Sequence, residues 1–169
     1  ARFILPWYGG TPAVWTTCML CFQVGLLVGY AYAHGLVAYC GRHPRRQAII
    51  HLGLILISFI FLPITPTDAM KPSASAIATP TSGIILLLLQ TVGLPFIVIS
   101  ASGPLIQYWF FSVSKGASPY RLYAVSNLGS LLGLLSYPLL IEPTFGLQRQ
   151  TELWTATYMI YGVLATLCA

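Results

Sequence analysis

Five stretches of this sequence contain no Asp, Glu, Lys or Arg: residues 3–41, 47–67, 72–114, 122–141 and 153–169. An α-helix rises about 1.5 Å per residue, so about 20 apolar residues cross the roughly 30 Å hydrocarbon core of a bilayer. Most of these intervals reach that length. Only 7% of the 169 residues are charged and 57% are hydrophobic, whereas an average soluble domain carries about 25% charged residues. A soluble fold would lack the charge to cover its surface. The pattern implies an all-α, polytopic transmembrane bundle of about five spanning helices, forming a single domain over 1–169.

The turn Gly9-Gly10-Thr11 before Pro12 opens a first helix that fits Pro12 to Tyr39. On it Gly25, Gly29 and Ala33 recur every four residues, a ridge that lets another helix backbone approach closely. The loop CGRHPRRQ, residues 40–47, holds Arg42, Arg45 and Arg46 and is the densest basic segment, which places it in the cytoplasm. A second helix runs from about Gln47 to Leu62 or Ile64, where Pro63 and Pro66 end it. Residues 65–82 are rich in Pro, Ser, Thr and Ala and read as an exposed loop. The third segment, Gly83 to Phe111, is interrupted by Gly93, Pro95, Gly103 and Pro104. It reads either as one kinked helix or, preferred, as a spanning helix over 83–101 followed by a short interfacial one. A last helix covers about 150–169.

The fourth segment, Ser118 to Glu142, is the one expected to organise the bundle. Ser118-Pro119 suits a helix start, and Ser126, Gly129, Ser130 and Gly133 leave one helical face nearly bare of side chains. In lipid such a face is useful when another helix lies against it. The rest of the chain is expected to supply that partner.

The net charge of +5 is spread over several loops and reads as topology control, so no nucleic-acid partner is expected. Cys18-Met19-Leu20-Cys21 lies inside an apolar run, without the electropositive turn that favours thiolate, and reads as packing. No metal site or catalytic residue is expected. His34 and His51 sit near the same depth if their helices are antiparallel neighbours, and are candidate ligands of a heme or chlorin. The preferred reading is that each imidazole bonds a nearby carbonyl or faces interfacial water, and no cofactor is predicted. Gln23, Gln90, Gln107 and Asn127 are uncharged amides at membrane depth, the residue types that could line a carrier's path.

The opening ARFILPWYGGTPAVWTTCMLCFQVGLLVGYAYAH resembles the region around the second membrane helix of bacterial spermidine synthase-like (fused MFS/spermidine synthase) membrane proteins. SGPLIQYWF and SPYRLYAVSNLGSLLGLLSYPLLIEPTFGLQRQ resemble later helices of that family, in the same order. The resemblance implies a bacterial inner membrane, an earlier helix before Ala1 and, in long members, a soluble aminopropyltransferase-like domain. The chain is accordingly expected to be a portion of a longer protein. The function expected is a non-catalytic membrane subunit or scaffold that packs against other membrane protein subunits and lipid. A transporter-like half and a membrane anchor for an aminopropyltransferase-like domain are the alternatives.

Overall fold

The computed structural model describes residues 3–41, 43–67, 70–72, 80–114 and 120–168. The expected helix start at Ser118-Pro119, half of the 65–82 loop, and Arg2, Arg42, Asp68 and Lys115 fall outside these. Among the described residues the fold is all-helical. A short turn of helix, α1 (Leu5–Tyr8), leads through Gly9 at φ 78° into α2 (Pro12–Cys40). Then follow α3 (Pro44–Phe61, its last turn 3₁₀), α4 (Pro80–Val113), α5 (Tyr120–Thr144) and α6 (Leu147–Cys168). Helices α2 to α5 are each long and apolar enough to cross a membrane. α6 has 22 residues, and Arg149 and Glu152 in its first turns shorten its apolar run. The chain is a membrane protein.

Proline placement explains most of the boundaries. Pro12 and Pro44 stand at the first position of α2 and α3, where the missing N–H has no helical partner to lose. Between them Gly41 turns the chain at φ 55°, a conformation that side chains with a Cβ rarely adopt.

α4 is one continuous helix, which corrects the expected division into a spanning and an interfacial piece. Its interruption is a π-turn at Leu89–Gly93, with Pro95 two residues on. A proline within a helix lacks the N–H for its hydrogen bond and its ring crowds the carbonyl of residue i−4. Widening the turn before it relieves that clash without ending the helix. α5 repeats the arrangement, with a π-turn at Tyr137–Ile141 that includes Pro138.

α4 also stands at the centre. Near its start, Ile84, Leu87 and Leu88 pack with Ile4, Val14 and Cys18. Val98 meets Ile55 of α3 and Ala165 of α6. Towards its end, Ala101, Leu105 and Trp109 close over Ala33, Leu36 and Ala48. Helix α2 therefore runs parallel to α4, and α3 antiparallel to both. The ridge of α2 makes this approach possible. A Cβ on Gly25 would lie 2.9 Å from the Phe96 ring, and one on Gly29 would lie 2.7 Å from Ser100 Cβ and 2.9 Å from the Ile97 carbonyl oxygen. Ala33 is buried in the same seam.

The opposite holds for α5. None of its residues is buried, and a Cβ on Gly129 or Gly133 would meet nothing within 4 Å. The expectation that the rest of the chain packs on Ser126, Gly129, Ser130 and Gly133 is therefore corrected. α4, not α5, organises the bundle, because α4 presents apolar side chains all round and can be covered on several faces at once.

Candidate functional site

Polar residues recur along one face of α3 at Gln47, His51 and Ser58, spaced by four and seven residues, and all three are buried. Bury three polar side chains in an apolar bundle and each needs a hydrogen-bond partner. The neighbouring helices supply them. Gln47 takes the indole proton of Trp109 on its Oε1 at 2.8 Å and donates from Nε2 to the Gly41 carbonyl at 2.8 Å. One side chain thus links the α2–α3 turn to α4.

One turn deeper, His51 Nε2 lies 2.8 Å from Ser102 Oγ, and Ser102 also contacts the Tyr161 hydroxyl of α6. Ser102 has one hydroxyl proton and directs it to the Val98 carbonyl at 2.9 Å. Tyr161 and His51 Nε2 must then be the donors, which puts the imidazole proton on Nε2 and leaves the Nδ1 lone pair outside this network. Farther along, Ser58 donates to the Ile55 carbonyl at 2.6 Å, so the Tyr158 hydroxyl, 2.6 Å away, donates to Ser58. Tyr158 is in turn stacked on Trp154 with centroids 5.1 Å apart.

His51 is 2% exposed. The Tyr32 ring stacks on it at 5.9 Å, inclined by 29°, and Trp109 meets it edge-on at 6.2 Å. His51 Nδ1 and the Tyr32 hydroxyl are buried with no hydrogen-bond partner among the described residues.

These surroundings decide what His51 can do. One face is covered by Tyr32, the Trp109 ring meets it edge-on, Nε2 is held by Ser102 and the ring is 2% exposed, so there is no opening beside it for a tetrapyrrole. His34 is exposed on another face of α2, in a groove with Tyr30, Pro104 and Tyr108. The fold does not bring the two histidines together as a ligand pair. Among the described residues no group of three or more His, Cys, Asp or Glu is placed to hold a metal ion. Ser102 beside His51 has the atom types of a nucleophile and base, but the serine is 5% exposed and among the described residues no carboxylate orients the imidazole. The arrangement clamps three helices.

The remaining candidates separate in the same way. Gln90 lines a groove of about 670 Å³ with Thr65, Thr67 and Thr91 at the far end of the bundle. Gln107 lies near the other end of the same helix, and Asn127 is exposed on α5. These amides do not share one cavity. Cys18 and Cys21 are free thiols, Cys18 buried in the seam between α2 and α4. Sequence reading singled out His51 but missed Gln47, Ser58, Ser102, Trp109, Tyr158 and Tyr161. The spacing of Gln47, His51 and Ser58 on one face was the available signal; their partners, one hundred residues away for Ser58, left none. No family model, curated protein or solved structure matches this chain.

Proposed function

We propose that this chain is a non-catalytic integral membrane subunit that packs against other membrane proteins through α5. The observation that carries the reading is the contrast between its two small-residue ridges. The one on α2 is filled by α4 of the same chain. The one on α5 combines Ser126, Gly129, Ser130 and Gly133 on a helix with nothing buried. Between helices in lipid, association comes from close backbone packing and hydrogen bonds rather than from the hydrophobic effect. A bare groove on a spanning helix gains little from acyl chains and much from a fitted helix. Among the described residues Gln90 and Gln107 stand towards opposite ends of α4 and Asn127 on α5, which weighs against a carrier.

The protein belongs, on this reading, in a bacterial inner membrane with residues 40–47 on the cytoplasmic side. Basic residues support that orientation through the positive-inside rule, and the resemblance to spermidine synthase-like membrane proteins supports the compartment. Purification in mild detergent tests the proposal. The subunit should elute with a partner in fixed ratio, and Gly133→Ile should release it as a folded monomer. A wild-type protein that elutes alone rejects the reading.

A further inference from the structure

The geometry points to a seat for one anionic phospholipid in the groove where the start of α3, the end of α4, the start of α5 and the end of α6 converge. The groove has a volume of about 540 Å³, with Ile106, Phe110, Val113 and Leu122 forming apolar walls, Cys168 at its side and Arg45 at its mouth. Arg45 is exposed and has no ion-pair partner among the described residues; Arg46, the next residue of α3, lines a separate groove with Tyr39, Cys40, Ile49 and Ile50.

Among the described residues that end of the molecule carries no acid. Glu142 and Glu152 lie at the far ends of α5 and α6 from the groove. Among the described residues Arg45, Arg46 and Arg121 stand at the groove end, in the first turns of α3 and α5. That end is therefore net positive. Two arginines in the first turn of α3 add to the positive end of that helix instead of offsetting it.

A phosphodiester fits this combination, because guanidinium groups hydrogen-bond phosphate oxygens in pairs. The acyl chain would lie along the walls of Phe110, Val113 and Leu122. Basic grooves between spanning helices hold anionic headgroups in this way, with about 1 kcal/mol from each arginine near the surface. That corresponds to about fivefold in affinity per arginine.

Native mass spectrometry of the full chain in detergent, titrated with phosphatidylglycerol or phosphatidylcholine, tests the assignment. One phosphatidylglycerol should bind at lower concentration than phosphatidylcholine. Arg45→Gln should weaken it about fivefold, while Arg45→Lys keeps most of the binding. Arg149→Gln, at the other end, should leave it unchanged. Inorganic phosphate at equal concentration should fail to displace the lipid, since it cannot use the apolar walls. Equal binding of the two lipids, equal loss on Arg149→Gln, or displacement by phosphate would each overturn the proposal.

Discussion

Gln47 is held from both sides, by the Trp109 indole and the Gly41 carbonyl, and this makes it the best residue at which to measure the polar core. Hydrogen bonds between membrane helices average about 0.6 kcal/mol and reach about 1.7 kcal/mol. A double-mutant cycle of Gln47→Leu and Trp109→Phe should give a coupling in the upper half of that range, because both groups are buried. Unfolding in mixed micelles measures it, and a coupling near zero would mean that the contact adds nothing to the fold. His51 shows how far residue-level reading goes. Its position on an apolar run marks it as unusual, but the ring contacts around it come from Tyr32 and Trp109, on helices whose register only the packed fold defines.

Helices were legible as elements and misjudged as partners. The boundaries at Pro12 and Pro44 follow from local chemistry that any reader of the sequence can apply. Continuity of α4 through Gly93 and Pro95 does not, because breaking the helix and widening one turn both answer the same missing hydrogen bond. The π-turn holds one residue more than an α-turn, so deleting Leu89, which is exposed, should restore regular helix without rotating either face. Deleting Ile99 should instead rotate everything beyond it by about 100° and carry Ser102 and Trp109 off His51 and Gln47. The first variant is expected to stay folded, the second to aggregate or be degraded; similar outcomes for both would contradict the assignment of the turn. Small-residue ridges separate as clearly. Gly29→Ala pushes a methyl group against the Ile97 carbonyl and should cost about 1–3 kcal/mol. Gly129→Ala meets open space and should change monomer stability by no more than about 0.5 kcal/mol, both read from unfolding of the purified monomer.

At the scale of the molecule, composition alone indicates a helical membrane bundle, since charge is too scarce to cover a soluble surface. It does not indicate which helix lies at the middle. Ridges such as Gly25/Gly29 and Gly129/Gly133 look alike in a sequence, yet one is filled within the chain and the other is open. The central claim is that the open ridge faces another protein. A photo-crosslinking residue placed at Leu132, which flanks this ridge on α5 and is 58% exposed, tests it directly in native membranes, with Leu27 of α2, 67% exposed, as the reference. The account predicts one discrete protein adduct from Leu132 that disappears when Gly133→Ile is added. Adducts to lipid alone, at Leu132 as at Leu27, would contradict it.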